Sequence, residues 1–205
     1  MTKTLMLLRH AKSSWKDQSL KDFDRPLKKK GKKAAKLIAK MMAHNQILPD
    51  AVLSSPAKRA RETTEIVNKH SGFEGSIQFL DSLYMAEPMD YIIALRELPD
   101  EVDRVLVVGH NPGLEALMNL VDGKSDALPT ATLAVLNLQL NHWRDFDTST
   151  VGELRNFWDP DEMDLEEIED MMAKDKKDND KKDKKDKKDK KKDKKDKKDK
   201  KKDKK

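Results

Sequence analysis

Cysteine is absent from this chain of 205 residues, and its absence excludes disulfide bonds and thiolate metal sites. Long apolar runs are missing as well, since no stretch approaches the roughly 20 apolar residues that a membrane-spanning helix needs. Residues 1–4 lead directly into a strand-like run, with no apolar signal region before it. From these absences we expect a soluble cytoplasmic protein without a membrane span.

Apolar side chains are absent after Ala173, where lysine and aspartate repeat to the end of the sequence. Residues 174–205 carry 21 lysines and 10 aspartates, a net charge of +11, so the chain's net +5 leaves −6 for residues 1–173. Such a segment cannot offset the entropy of ordering, and we expect a disordered, solubilising tail. Its charge also predicts weak attraction to polyanions such as RNA or anionic lipid. Its aspartates and its lack of aromatic side chains argue against a specific nucleic-acid site.

Two apolar runs in the remaining sequence each lead to a histidine. Residues 5–8 are followed by Arg9 and His10, and residues 105–108 are followed by Gly109 and His110. Both runs read as buried parallel strands, and the carboxyl ends of such strands meet at the ligand crevice of an open α/β sheet. The sequence therefore predicts a site that contains both histidines.

A third apolar run, residues 51–53, is followed by small polar residues and then by Arg59. The planar guanidinium group matches the oxygens of a phosphoryl group and keeps its charge near neutral pH. Two arginines, Arg9 and Arg59, would join the two histidines at the same crevice. This set of side chains predicts a site for a phosphoryl group.

The motifs around these residues are specific in their amino-acid sequences and in their order along the chain. They are Arg9-His10, Asp24-Arg25-Pro26-Leu27, Ser54-Ser55-Pro56-Ala57-Lys58-Arg59-Ala60, Leu83-Tyr84-Met85-Ala86, Gly109-His110-Asn111-Pro112 and Leu128-Pro129-Thr130-Ala131. Over residues 1–160 the chain resembles the histidine phosphatase superfamily, and within it the small SixA-type phosphohistidine phosphatases. Ala11 stands where much of the superfamily has glycine, and alanine at this position is common in the SixA-type subgroup. The resemblance implies a phosphoglycerate mutase-like fold.

Alternating strand and helix patterns predict a three-layer α/β/α sandwich with a mostly parallel central sheet. Asn111 and Pro112 are typical of a helix start, with asparagine at the cap and proline in the first turn. We expect one histidine phosphatase domain over residues 1–160, an acidic helix over 161–173 and the tail over 174–205. The predicted strands are residues 4–10, 52–53, 77–80, 104–109, 132–140 and 152–158, and the predicted helices are residues 27–44, 57–70, 89–98 and one from Asn111 onward.

The resemblance implies a two-step reaction at His10. An imidazole nitrogen attacks phosphorus to form a phosphohistidine intermediate, which water then hydrolyses. Arg9 and Arg59 would hold the phosphoryl oxygens, His110 would donate to one of them, and no metal or other cofactor is expected because the cations are built in. Further candidates for contact with the substrate are Lys12, Ser13, Arg25 and Asn111.

Glu87 is the candidate proton donor, although it is equally suited to the start of a helix before Pro88. A phosphohistidine substrate leaves as imidazole and can dispense with a strong acid. The short loops also predict an open cleft that admits a phosphorylated side chain of another protein, such as a phosphotransfer domain or a phosphocarrier. Two alternatives stay open. One is a small-molecule phosphomonoesterase for a sugar phosphate or nucleotide, and the other is a phosphate-sensing or scaffold module whose tail binds a polyanion.

Overall fold

The computed structural model describes residues 2–124 and 127–163, which are built around a six-stranded sheet. Its strands in chain order are β1 (Lys3–Arg9), β2 (Ala51–Ser54), β3 (Ser76–Phe79), β4 (Arg104–Gly109), β5 (Leu133–Leu138) and β6 (Gly152–Trp158). They lie side by side in the order β3-β2-β4-β1-β5-β6. The first four strands in that order are parallel, whereas β5 is antiparallel to both β1 and β6. The last strand, β6, lies at one edge of the sheet.

Four helices cover the two faces of the sheet: α1 (Lys29–His44), α2 (Lys58–Ser71), α3 (Pro88–Arg96) and α4 (Gly113–Asp122). Side chains alternate along β1 as the two-residue period of a strand requires. Leu5 and Leu7 pack into a core with α3 and α4, and Met6 and Leu8 pack into a core with α1 and α2. Burial on both faces explains why the strand is apolar throughout. The predicted three-layer sandwich of phosphoglycerate mutase-like type is confirmed.

The start of α1 differs from the prediction by two residues. Leu27 was expected to begin the helix, but it forms an isolated antiparallel bridge with Ser13. Its amide also donates to the carboxylate of Glu62 over 3.1 Å. Gly31 then packs directly on the backbone of Lys12, where a β-carbon would collide with the carbonyl oxygen. The first turn of α1 thus holds the loop that follows β1 in place.

The predicted cap of α4 is wrong. The helix begins at Gly113 with Pro112 as its cap residue, and the peptide bond between Asn111 and Pro112 is cis. The Asn111 side-chain amide donates to the carbonyl of Leu128 over 3.0 Å, so its side chain serves the neighbouring loop rather than the helix amides. The helix nonetheless follows His110 closely, because the Leu114 amide donates to the His110 carbonyl over 3.0 Å.

The described residues up to Glu162 form one compact unit. Residues 161–163, at the start of the predicted acidic helix, form a turn and a bend. The rest of that predicted helix and the predicted tail, residues 174–205, lie outside the described residues. Among the described residues, no helix has both the length and the apolar composition to cross a membrane.

Candidate active site

The two histidines meet where the neighbouring parallel strands β1 and β4 end. Arg9 lies beside Gly109 in the register of the two strands, and the His10 amide donates to the Gly109 carbonyl over 3.0 Å. The ring centroids of His10 and His110 are 5.0 Å apart. Gly109 also permits a close approach by the Tyr91 hydroxyl, which a β-carbon would obstruct. Parallel pairing therefore brings together the two histidines that the sequence placed at strand ends.

Hydrogen bonds define which nitrogen of His10 carries its proton. Nδ1 lies 2.9 Å from the carbonyl oxygen of Ala11, and a carbonyl only accepts, so Nδ1 is the protonated nitrogen. Nε2 accepts a hydrogen bond from the Nε group of Arg59 over 3.2 Å. The unprotonated nitrogen, whose lone pair a nucleophile needs, is therefore Nε2.

The surroundings of His10 also favour its neutral form. Burial lowers its pKa, and the positive charges of Arg59, Arg9 and Arg25 lower it further. These effects outweigh the opposing hydrogen bond to Ala11 and bring the pKa to about 4. The imidazole is consequently neutral at physiological pH, as nucleophilic attack requires.

Arg59 is held by a residue that sequence reasoning missed. Arg59 is 3% exposed, and its guanidinium group donates from Nη1 to the main-chain oxygen of Asp22 over 2.7 Å. Nη2 lies 3.0 Å from the Asp22 carboxylate. That carboxylate also accepts from Arg25 over 2.6 Å and from the Tyr84 hydroxyl over 2.9 Å. Asp22 thus orients both arginines, and its only signal in the sequence is an acidic residue three positions before Arg25.

Charge and burial act in opposite directions on Asp22. Burial raises the pKa of its carboxyl group. The hydrogen bonds from Arg25 and Tyr84, together with the positive charges of Arg59 and Arg25, outweigh that effect and lower the pKa overall. The carboxylate therefore stays ionised and is a permanent partner of the two guanidinium groups.

Arg25 and Ser13, two of the further candidates, lie beside each other. Arg25 is buried and donates to the Ser13 hydroxyl over 2.6 Å. Its guanidinium carbon also lies 3.2 Å from the ring centroid of Trp15, a cation–π contact. Both candidates line the same cleft as His10. Their positions fit the contact with the substrate that the sequence predicts.

Arg9 and Asn111 share one acceptor. Both side chains donate to the carbonyl oxygen of Leu128, over 2.9 Å from Arg9 and 3.0 Å from Asn111. The Nε of Arg9 and the Oδ1 of Asn111 are buried without a hydrogen-bond partner among the described residues. Buried polar groups normally find partners. The free Nε–H group of Arg9 is consequently available to an anion.

The cleft above these residues has a one-sided charge. Its lining contains five lysine and arginine residues and no acidic residue. The five are Arg9, Lys12, Arg25, Lys28 and Arg59, and the other lining residues are His10, Ser13, Trp15 and Thr130. A concave surface with one sign of charge attracts and concentrates the opposite ion. The cleft is therefore suited to an anion such as a phosphoryl group.

His110 lies deeper than His10 and is 2% exposed. Its Nε2 is 2.8 Å from the hydroxyl oxygen of Ser55, and the ring contacts Tyr84 edge-on at a centroid distance of 5.7 Å. Burial lowers its pKa most. The positive charges of Arg59 and Arg9, and of His10 once it is protonated in acid, add to the effect, so that the pKa falls to about 3 despite Asp22. His110 is also neutral at physiological pH.

Glu87 occupies the position of a helix cap. It precedes α3 and forms a capping box, in which its carboxylate accepts the Asp90 amide and the Asp90 carboxylate accepts the Glu87 amide. The second of these bonds is 2.8 Å long. Glu87 is exposed and does not line the cleft that holds His10. Its role as a proton donor stays a prediction.

Comparisons with known proteins identify the family of this chain. Residues 5–84 match the family model of the histidine phosphatase superfamily, branch 1. An uncharacterized chloroplastic protein of Arabidopsis thaliana is 36% identical in a match of 155 residues that covers 71% of this chain and 71% of that protein. An uncharacterized protein of Mycobacterium tuberculosis is 34% identical in a match of 151 residues that covers 68% of this chain and 92% of that protein.

Solved structures share the fold. A protein of Agrobacterium tumefaciens, provisionally described as the phosphohistidine phosphatase SixA, has a TM-score of 0.68 and 31% identity over 78% of this chain and 99% of that chain. The family-model match and these relatives show that the chain belongs to the histidine phosphatase superfamily and is a phosphatase with a histidine nucleophile.

Proposed function

We propose that the protein removes the phosphoryl group from a phosphohistidine on another protein, with His10 as the nucleophile. One observation carries the proposal: the unprotonated Nε2 of a neutral His10 faces Arg59 at a cleft lined by five basic residues and no acidic one. The cations attract the phosphoryl oxygens, and the neutral imidazole keeps its lone pair for phosphorus.

The reaction proceeds in two displacements. The Nε2 lone pair of His10 forms a bond to phosphorus while the P–N bond to the substrate imidazole breaks, and the leaving nitrogen keeps that electron pair and takes a proton from water. Water then attacks the phosphorus on His10, releases inorganic phosphate and returns the pair to Nε2. Arg9 and Arg59 neutralise the oxygens in both steps, which is the main task in phosphoryl transfer.

Apolar side chains around the cleft support a protein substrate. Trp15 lines the cleft and is 67% exposed. Phe23 is also exposed and packs edge-on against Tyr84, at a centroid distance of 5.1 Å. Met85, which follows Tyr84, is 59% exposed in a left-handed backbone conformation with φ of 54°. A small phosphate ester has no surface to cover these side chains, whereas a folded protein does.

The test of the reaction compares two substrates without added metal. Phosphate release from a phosphohistidine-bearing protein and from para-nitrophenyl phosphate is measured for the wild type, His10→Ala and His70→Ala. The control residue, His70, lies in the last turn of α2. We expect strong phosphohistidine turnover that His10→Ala abolishes and His70→Ala preserves. Activity on the ester alone would indicate a small-molecule phosphomonoesterase, and no activity on either substrate would indicate a phosphate-sensing module.

The test of the protein substrate uses Met85→Ser against Val151→Ser. Val151 is similarly exposed, at 57%. It directly precedes β6, which forms the edge of the sheet opposite to β3, whereas Met85 follows β3 in the chain. We expect Met85→Ser to raise KM for the phosphoprotein several-fold, the effect of losing about 1 kcal/mol of contact. Turnover of para-nitrophenyl phosphate should not change. Equal effects of the two variants on KM would argue against docking of the phosphoprotein on the exposed apolar side chains Trp15, Phe23 and Met85.

A further inference from the structure

The hydroxyl group of Ser55 sits beside His110, outside the residues assigned to phosphoryl binding. Ser55 is fully buried, and its Oγ lies 2.8 Å from His110 Nε2. The same oxygen accepts the amide of Ala57 over 3.3 Å. Ser55 follows β2, whereas His110 follows β4, and these strands are neighbours in the sheet.

Hydrogen-bond accounting assigns the direction of the Ser55–His110 contact. A hydroxyl group has one proton to donate, and among the described residues His110 Nε2 is the one acceptor that the Ser55 hydroxyl reaches. The opposite direction would leave the hydroxyl proton of a buried serine without an acceptor. It would also leave Nδ1 of His110 as a bare lone pair in a site built for an anion. Both consequences cost free energy.

From this accounting we infer that Ser55 is a positioning residue that holds His110 in the tautomer with its proton on Nδ1. The Nδ1 atom of His110 is buried and has no hydrogen-bond partner among the described residues. With its proton in place, it becomes a donor that a phosphoryl oxygen can engage. That last step rests on the proposed function, whereas the tautomer itself does not.

The two imidazoles thereby receive opposite tasks from the same tautomer. In His10 the protonated Nδ1 is anchored to the Ala11 carbonyl, so the bare Nε2 faces Arg59. In His110 the bare Nε2 is anchored to Ser55, so the protonated Nδ1 is left free. One ring presents a lone pair and the other presents a donor, because different nitrogens are held by the protein.

The test is the tautomer of His110, read from the ring nitrogen chemical shifts of the full-length protein at neutral pH. We expect a protonated Nδ1 in the wild type and in Ser54→Ala. Ser54 is a matched control, since it is equally buried and its hydroxyl donates to the Ser55 carbonyl rather than to His110. We expect Ser55→Ala to shift His110 toward protonation at Nε2 and Ser55→Thr to restore the wild-type signals. A wild-type His110 with its proton on Nε2 would overturn the inference, whatever the variants do.

Kinetics separate this inference from the proposed function. We expect Ser55→Ala to lower kcat for para-nitrophenyl phosphate by about tenfold or more, the order for losing a partner that orients an active-site histidine, while Ser54→Ala stays near wild type. An unchanged kcat in Ser55→Ala with an altered tautomer would contradict a positioning role. A wild type with the assigned tautomer but no phosphatase activity would defeat the proposed function and leave the tautomer assignment intact.

Discussion

Arg59 donates from Nε to Nε2 of His10 over 3.2 Å, so a cation occupies the lone pair that attacks phosphorus in the proposed reaction. Burial lowers the pKa of His10 most, and this contact lowers it further, because a proton on Nε2 would confront the guanidinium group directly. In the proposed reaction, the substrate draws Arg59 from the ring onto its phosphoryl oxygens before His10 reacts. We therefore expect the arginine to cover the Nε2 lone pair at rest and to bind the phosphoryl group in the complex.

Replacement of Arg59 by lysine tests the importance of the planar fork. Lysine keeps the charge but cannot contact His10 and Asp22 from three nitrogens at once. We expect Arg59→Lys to lower kcat/KM for para-nitrophenyl phosphate by about two orders of magnitude, as loss of an electrostatic donor does. Arg61→Lys is the control, since Arg61 lies in the same helix but packs over the Phe79 ring at 3.8 Å. Similar losses in both variants would argue against a specific role for Arg59.

Replacement of Asp22 by asparagine tests the clamp on the two arginines. Asparagine has one acceptor oxygen in place of two and no charge, so the buried Arg59 loses its counterion. We expect a loss of stability of about 1–3 kcal/mol and a lower kcat/KM. Asp24→Asn makes the same change in charge two residues away, at an exposed position of the same short 3-10 helix, Asp22–Asp24. Urea denaturation and steady-state kinetics should show larger losses for Asp22→Asn than for Asp24→Asn. Equal losses would argue against Asp22 as the residue that orients the two arginines.

Glu87→Gln tests the proton donor. The glutamine oxygen still accepts the Asp90 amide, so the capping box and the fold should persist. We expect phosphohistidine turnover to stay near the wild-type value, because imidazole departs without a strong acid. Alkyl phosphates are the discriminating substrates. A loss of about a hundredfold on them would assign Glu87 as the general acid and favour the small-molecule reading.

The buried histidines predict a stability that falls with acid. In the folded protein their pKa values are about 4 for His10 and about 3 for His110, whereas an unfolded imidazole titrates near 6.5. The unfolded chain therefore binds more protons below about pH 6.5. Their contribution is fully present above that pH and is lost as the pH falls toward 4, by an amount on the order of a few kcal/mol for the pair.

Urea denaturation at pH 7, 5.5 and 4.5 measures this dependence. Replacing one histidine by glutamine removes one linked proton, which flattens the slope by up to about 1.4 kcal/mol per pH unit. We expect this flattening for His110→Gln, because the pKa of His110 is lowered to about 3 in the folded protein. Parallel curves for the wild type and His110→Gln would show that His110 titrates normally.

Much of the fold follows from local patterns. The apolar run of β1 predicts burial on both faces, and the structure shows Leu5 and Leu7 in one core and Met6 and Leu8 in the other. The predicted start of α4 was wrong, because the Asn111 side chain can either cap a helix or bind a distant backbone group. A sequence pattern contains the cap preference of asparagine but not the carbonyl of Leu128, 17 residues away, that it binds instead.

By itself the sequence determined which side chains are available and where strands end. Because parallel strands align their carboxyl ends, Arg9, His10 and His110 had to meet at one edge of the sheet. Tertiary structure alone decided the protonation and orientation of these groups. Asp22 on the two arginines and Ser55 on His110 are contacts between segments distant in the chain. Hydrogen-bond direction and desolvation depend on such neighbours in space, and a local sequence pattern does not show which residues those neighbours are.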